Sequence, residues 1–179
     1  MATTSSKSSP LAAQPGQTGI DPRGPRFGAA ITTVLLAVTV VLALLGPSVA
    51  TGTTLPQRLA DPAFWLLAVI TVLFAWGAFG GIQSHPYGRF FRAVIAPRLG
   101  KPSELENPKP PTFAQLIGFV ISLVGLVLDL VGVPYGLAVA AAFAFIAAFL
   151  NSVFGYCLGC QIYVLLARAG IVGRGGKTA

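Results

Sequence analysis

The chain has 179 residues, of which 54% are hydrophobic and only 9% are charged. Soluble proteins carry about 25% charged residues, so this composition excludes an ordinary soluble domain and requires much of the apolar surface to face lipid. The net charge of +7 would suit nucleic acid, but the basic residues flank apolar segments, where anionic lipid head groups would meet them. We therefore expect a lipid bilayer as the surroundings, and no nucleic acid as a partner.

The first twenty residues are rich in Ser, Thr, Gln and Pro and contain one lysine. Such a segment cannot bury enough apolar surface to offset the entropy lost on ordering, so we predict a disordered cytoplasmic tail at 1–20. We expect no secretory signal peptide, because the first apolar stretch begins only at Phe27 and has the full length of a membrane span.

Four apolar stretches in a transmembrane domain at 21–168 are long enough to cross a bilayer. At about 1.5 Å per residue, roughly 20 helical residues span the hydrocarbon core. The last stretch continues to Ala167, which is too long for one span and too short for two spans and a turn, so we predict a break at Gly155. The predicted spans are 27–45, 63–82, 113–133 and 135–154, with short interfacial helices at 87–95 and 157–168.

The positions of the basic residues predict the orientation. With four crossings, Arg58 is the only Lys or Arg on one side of the membrane, and the rest lie on the other side. By the positive-inside rule both termini, including a basic tail at 169–179, are expected in the cytoplasm of a multi-pass plasma (inner) membrane protein. The residues on the predicted cytoplasmic side are Lys7, Arg23, Arg26, Arg89, Arg92, Arg98, Lys101, Lys109, Arg168, Arg174 and Lys177.

A short motif occurs twice, each time directly before a span that leads outward. Asp21-Pro-Arg-Gly-Pro-Arg-Phe-Gly28 and Asn107-Pro-Lys-Pro-Pro-Thr-Phe-Ala114 share Asp or Asn, Pro, a basic residue, a second Pro, Phe and a small residue at the same spacing. The pattern predicts an all-α fold of two hairpins with the same orientation, a parallel repeat about an axis along the membrane normal. The returning spans also match at their ends, where His85 and Cys160 each follow a Phe-Gly pair, Phe79-Gly80 and Phe154-Gly155, six residues beyond the Phe.

These motifs, with His85-Pro-Tyr-Gly-Arg-Phe-Phe-Arg92 and Phe154-Gly-Tyr-Cys-Leu-Gly-Cys-Gln161, also carry a family resemblance. Together they resemble an actinobacterial family of integral membrane proteins known as domain of unknown function 4395. The resemblance covers most of the chain after Ile20. It implies four membrane segments and no established activity, so it assigns no catalytic residue.

The two cysteines, Cys157 and Cys160, are the leading candidates for chemistry, as redox thiols. Three residues apart on a helix they share a face, close enough for a disulfide or for two thiolates on one metal ion. If a new helix begins after Gly155, its positive end favours the thiolate of Cys157, whereas an unbroken fourth helix disfavours it. In the cytoplasm we expect reduced thiols at rest. The alternative that both cysteines only pack between helices stays open.

Three other polar residues deserve comparison with the cysteines. His85, the single histidine, offers a base or a third metal ligand, or else simply caps a helix. Asp129 is the only carboxylate within a span, and its place near the outer end predicts hydration from outside and pairing with Arg58. Asn151 is expected to form a hydrogen bond across helices.

The sequence therefore favours a thiol function at the cytoplasmic rim, either thiol-disulfide exchange or sulfur handling, with a thioredoxin-like partner and no resident cofactor. Two alternatives stay open. One is a structural or assembly subunit that binds other membrane proteins through its helices. The other is binding of a transition metal ion by Cys157, Cys160 and His85. Whether the protein is an enzyme is left open, since no nucleotide-binding or hydrolase motif is present.

Overall fold

The computed structural model describes residues 11–13, 16 and 18–172, and the regular structure of this part is helical. Four of its helices are long and apolar enough to cross a membrane, as predicted. Strand-like pairing among the described residues is limited to isolated bridges that Glu106 makes with Ala12 and Ile20. In chain order the helices are α1 (Arg23–Leu45), α2 (Leu55–Leu59), α3 (Pro62–Phe79), α4 (Pro86–Phe90), α5 (Ala96–Leu99), α6 (Lys109–Leu130), α7 (Gly136–Phe154) and α8 (Leu158–Arg168), with a 3-10 turn at Pro47–Val49 and a π-helical turn at Phe91–Ile95.

The two repeated motifs start the helices α1 and α6 in the same way. The Asp21 carboxylate accepts the backbone N–H of Arg23 at 2.9 Å, and the Asn107 amide oxygen accepts that of Lys109 at 3.0 Å. Proline is tolerated in the first turn of a helix, where its missing N–H would have no partner anyway. Both helices therefore begin inside their motif, a few residues before the predicted spans.

The long helices form a ring in which α1 and α6 each pack against both α3 and α7. Small residues bring the backbones of this ring close together. A Cβ atom on Gly125 would lie 2.5 Å from Cβ of Ala140 on α7, and one on Gly118 would lie 2.8 Å from the Phe74 ring on α3. With the buried Ser122, these glycines form the helix-packing seam that their spacing in the sequence predicts.

The outer faces of the ring are covered by large apolar side chains. Val34, Val72 and Val153 are each more than half exposed, at 63%, 63% and 53%. Water would make such faces costly, whereas lipid tails solvate them, so this surface suits a bilayer. The buried core is small by comparison and centres on Leu36, Leu67, Ile70 and Leu137.

Part of the segment before α1 contacts the linker between α5 and α6. Ile20 and Glu106 exchange two backbone hydrogen bonds of 2.8 and 2.9 Å, and the Ala13 N–H donates to the Leu105 carbonyl at 2.9 Å. The tail at 1–20 was predicted to be disordered, and its residues 1–10, 14, 15 and 17 lie outside the described residues. The same holds for 173–179 of the basic tail.

Candidate functional site

The chain turns sharply between α7 and α8, at the predicted break. Gly155 has φ +67°, a left-handed conformation that glycine adopts without steric cost. Its N–H donates to the Asn151 carbonyl at 3.1 Å, and the Tyr156 N–H donates to the Leu150 carbonyl at 3.1 Å. These bonds close the C-terminus of α7. A new helix, α8, therefore starts at the cysteine pair.

The two cysteines occupy the first turn of α8. Cys157 is the N-cap residue, and its Sγ accepts the backbone N–H of Cys160 at 3.2 Å. The two Cα atoms are 5.2 Å apart and the sulfur atoms form a disulfide bond, whereas sequence reasoning expected reduced thiols at rest. Cys160 is only 3% exposed and Cys157 is half-buried. An incoming thiolate therefore reaches Cys157 more easily than Cys160.

The sequence left open whether a new helix begins after Gly155 or the fourth helix continues unbroken, and the structure has a new helix there. Cys157 lies at the N-terminus of an 11-residue helix, so its sulfur faces the positive end of the helix dipole and a backbone N–H. Both favour negative charge on this sulfur when the disulfide is reduced. The arrangement is that of an attacking or leaving thiolate.

Gly159, between the cysteines, fixes α8 against α6. A Cβ atom at Gly159 would lie 2.6 Å from both Cα and Cβ of Ala114, so only glycine allows this approach. One turn further, the Tyr163 ring packs on Phe113 with ring centroids 5.6 Å apart. The cysteine pair is thus held on a rigid helix start, which keeps its two sulfurs in place.

His85 caps the helix α4. Its Nδ1 accepts the Tyr87 backbone N–H at 3.3 Å, so the ring proton belongs on Nε2, which donates to the Leu73 carbonyl at 3.2 Å. Burial lowers the pKa of His85, and the bond to Leu73 opposes this only in part, so the imidazole is neutral near pH 7. Both ring nitrogens already have protein partners. Within the described part of the chain, no three His, Cys, Asp or Glu residues come together as a group that would hold a metal ion.

A cavity of about 740 Å³ opens beside the disulfide. We call this end of the ring, where α1 begins and α7 ends, the cysteine end. Residues from all four long helices line the cavity, together with the first turn of α8, and both cysteines and His85 belong to the lining. Many of its walls are apolar, with Phe74, Ile121 and Phe143 of the long helices among them. The cavity thus brings the sequence candidates of the cysteine end to one space.

Three residues with side-chain amides also line the cavity: the exposed Gln83 and the half-buried Gln115 and Asn151. Asn151, which was expected to bond across helices, makes no side-chain hydrogen bond with the residues that the structure describes, and neither does Gln115 of α6. The neighbouring Ser152 instead lies 3.4 Å from the Thr33 hydroxyl on α1. Sequence reasoning missed Gln115, although a lone amide near the start of an apolar span was a usable signal. The amides of Asn151 and Gln115 are free to bond to a molecule in the cavity.

Glu106 and Arg26 contribute charge at the mouth of the cavity. Burial raises the pKa of Glu106, and the nearby Arg26 guanidinium counteracts this effect in part. Glu106 was not a sequence candidate, because nothing in a proline-rich linker marks one carboxylate as buried. The mouth therefore holds a basic group near a carboxyl group whose pKa is raised.

The opposite end of the ring, which we call the Arg58 end, holds the expected ion pair. Arg58 and Asp129 lie 3.1 Å apart and are 1% and 0% exposed, so the pairing is confirmed but the expected hydration of Asp129 from outside is wrong. The Arg58 guanidinium also contacts the carbonyls of Ala50 and Gly132, which draws both loops over the pair. These loops exclude water from the carboxylate.

A family model described as domain of unknown function (DUF4395) matches residues 20–168. The chain belongs to the DUF4395 family. The matched region begins just before α1 and ends with the last residue of α8, so the family domain contains the whole ring and the cysteine pair. Neither the curated proteins nor the solved structures include a significant match to this chain. For this DUF4395 protein, function has to be argued from the site itself.

Proposed function

We propose that this DUF4395 protein exchanges thiols and disulfides through Cys157 and Cys160 with a thioredoxin-like partner. The observation that carries the proposal is the arrangement of the pair. A half-buried sulfur caps the N-terminus of α8, and a buried second sulfur lies beside it at bonding distance. A two-step exchange requires one accessible sulfur and one protected sulfur.

The exchange proceeds in two balanced steps. A thiolate of the reduced partner attacks Sγ of Cys157, a new intermolecular S–S bond forms, and Cys160 leaves as a thiolate that takes up a proton. The partner's second thiolate then attacks the partner's first sulfur in the mixed disulfide, and Cys157 is released as a thiolate. The partner ends as a disulfide and the protein as a dithiol, so two electrons and two protons have moved. The cap on Cys157 stabilises this sulfur when it leaves as a thiolate.

We further propose that the protein crosses a bacterial plasma membrane with both termini and the cysteine end in the cytoplasm. The resemblance to an actinobacterial membrane family supports the bacterial setting. The orientation is supported by the basic residues near the cysteine end, which include Arg23, Arg26 and Arg92, whereas Arg58 is buried in its ion pair. In this orientation the partner is a cytosolic or membrane-surface protein.

Thiol trapping in sealed vesicles of known orientation tests the function. After reduction, an impermeant maleimide applied to the cytoplasmic side should label Cys157 before Cys160. The thioredoxin probe carries its attacking cysteine as a mixed disulfide with thionitrobenzoate and has Ser in place of its second cysteine. With this probe the Cys160→Ser variant should accumulate a mixed disulfide through Cys157, because neither protein then has a thiol that resolves it. The matched Cys157→Ser variant should form none. Absence of labelling from the cytoplasmic side, or equal behaviour of both variants, would contradict the proposal.

The parallel repeat is also part of this proposal, and local geometry supports it. In each proposed half, an Asp or Asn side chain accepts the backbone N–H of the first residue of the first long helix. The motif phenylalanine packs on the segment after the second long helix, Phe27 on Phe91 and Phe113 on Tyr163. His85 and Cys157 are both N-cap residues, so alignment of the two caps matches His85 with Cys157. The six-residue spacing in the sequence instead predicts that His85 matches Cys160. An experimental structure in which one rotation fails to superpose α1 and α3 on α6 and α7 would overturn it.

The two alternatives from the sequence stay predictions. Copurification of a stoichiometric membrane partner that survives loss of both cysteines would favour an assembly subunit. Metal analysis of the purified protein tests a site made of Cys157, Cys160 and His85. Such a site needs a free ring nitrogen on His85, and in the structure both ring nitrogens have partners.

A further inference from the structure

We propose that the cavity beside the disulfide binds the ring of a membrane quinone, which accepts the electrons of the reduced Cys157–Cys160 pair. The proposal rests on the proposed thiol function and names its electron acceptor. It is supported by the volume and walls of the cavity, by the unpartnered amides of Gln115 and Asn151 and by the position of the sulfurs.

The size and walls of the cavity suit a small molecule that arrives from lipid. Its volume of about 740 Å³ lies within the range of roughly 300 to 1,000 Å³ that is usual for small-molecule sites. The apolar walls, including Phe74, Ile121 and Phe143, belong to helices long enough to cross the membrane. A water-soluble acceptor gains little from such walls, whereas an aromatic ring with an apolar tail is stabilised by them.

The polar groups in the cavity match the two oxygens of a quinone. Gln115 and Asn151 line the cavity and have no side-chain hydrogen bond to other described residues. An amide both donates and accepts hydrogen bonds. It therefore donates to a ring carbonyl in the oxidised form and accepts from the ring hydroxyl once the ring is reduced. Two such amides serve two ring oxygens in both redox states.

The sulfurs border the same space. Cys157 and Cys160 both line the cavity, and the half-buried Cys157 offers the more accessible sulfur, since Cys160 is almost fully buried. His85, by contrast, uses both ring nitrogens within the protein and serves as part of the wall. A ring in the cavity thus lies beside the redox pair, and the amides orient it.

The reaction balances without a further reactant. The Cys157 thiolate adds to a ring carbon, and the electron pair displaced by the new C–S bond moves onto the ring oxygens. The Cys160 thiolate then attacks Sγ of Cys157, the S–S bond forms, and the C–S bond breaks with its electron pair left on the ring. The two thiol protons end on the ring oxygens. The products are a disulfide and a quinol, and the dithiol is ready again after exchange with the partner.

The experiment uses the full chain, reduced and reconstituted in lipid nanodiscs, with decylubiquinone as the probe. The ring of this quinone is fully substituted, which limits stable addition of free thiols. We expect saturable loss of quinone absorbance, one quinol formed per disulfide, and no reaction in Cys157→Ser. Gln115→Leu and Asn151→Leu should each raise the KM for decylubiquinone about tenfold, as expected for the loss of one hydrogen bond.

A cavity-filling variant separates binding inside the ring from contact elsewhere. Ala148 lines the cavity, so Ala148→Phe should abolish quinone reduction. Ile146 lies two residues away and is 50% exposed, so Ile146→Phe adds similar bulk outside and should react as the parent does. If Ala148→Phe does not fold, the two amide variants decide through KM.

Three outcomes would overturn the quinone proposal. One is absence of quinone reduction by a protein that still forms and resolves a mixed disulfide with a thioredoxin probe, which leaves the proposed function intact. The second is reduction that does not saturate. The third is unchanged kinetics in folded Ala148→Phe or in both amide variants. Loss of thioredoxin exchange as well would instead remove the proposed function.

Discussion

The polar side chains at the two ends of the ring differ in how completely they are buried and in the partners that they have. At the Arg58 end, Arg58 pairs with Asp129, and the Ser48 hydroxyl donates to the Asp61 carboxylate at 2.7 Å; all four residues are almost fully buried. At the cysteine end, the polar groups line a cavity and two amides have no protein partner among the described residues. The comparison indicates that the first cluster stabilises the fold and the second is available for a ligand.

The largest expected effect comes from breaking the cluster at the Arg58 end. Asp129→Ala leaves the Arg58 guanidinium buried and without its carboxylate, which typically costs about 3 to 5 kcal/mol of unfolding free energy. The double variant Arg58→Met with Asp129→Leu removes both charges and should recover most of this loss. Unfolding in lipid or mild detergent measures both. A single variant within about 1 kcal/mol of the parent would contradict a stabilising role.

A smaller and more local effect is expected at Gly159. Gly159→Ala drives a methyl group into the backbone at Ala114, and overpacking of this kind typically costs about 1 to 3 kcal/mol. Because α8 should shift away from α6, alkylation of Cys160 in the reduced protein should become faster. Leu165→Ala is the matched control on the same helix, since Leu165 is 62% exposed. Unchanged access to Cys160 in the variant would show that Gly159 does not hold the pair in place.

The smallest expected effect is a pH dependence from His85. Burial lowers the pKa of His85 in the folded protein, so the unfolded chain binds this proton more readily, and stability falls as pH drops below the ordinary histidine value of about 6.5. His85→Asn keeps an N-cap acceptor but does not titrate there, so its unfolding temperature should depend less on pH between 7 and 5.

The comparison of parent and variant isolates the histidine. Burial raises the pKa of Glu106, so that carboxyl group contributes a change of opposite sign, with stability falling as pH rises through its folded pKa. This contribution is common to both proteins and cancels in the difference. Equal pH dependence of the parent and His85→Asn would mean that His85 is not held neutral by burial.

Much of the fold follows from the sequence because bilayer thickness sets the length of an apolar helix. The four helices that are long enough to span a membrane, the break at Gly155 and the Arg58–Asp129 pair are all readable from hydrophobic length, glycine and lone charges. Burial of Asp129 was not readable, since it depends on the Ala50 and Gly132 loops that close over the pair. Arg58 and Gly132, for example, are more than seventy positions apart in the sequence.

The candidate site was only partly predictable for a similar reason. The cysteine spacing indicated a disulfide-competent pair, and the pair is found in the first turn of a new helix. The cavity, however, exists only once α1, α3, α6 and α7 are assembled, so the sequence could mark Gln115 as a lone polar residue but could not show that it faces an open space. The use of both His85 nitrogens depends on the Leu73 carbonyl, which a linear sequence does not reveal.

The hydrogen bond from the Cys160 amide to Cys157 Sγ involves the main chain and does not require the sulfurs to be joined. When the sulfurs separate, the acceptor gains negative charge, and a charged acceptor binds a backbone N–H more strongly than a neutral one. The first turn of α8 thus has a better cap after reduction than before it. We therefore expect the surrounding backbone to stay in place when the disulfide is reduced.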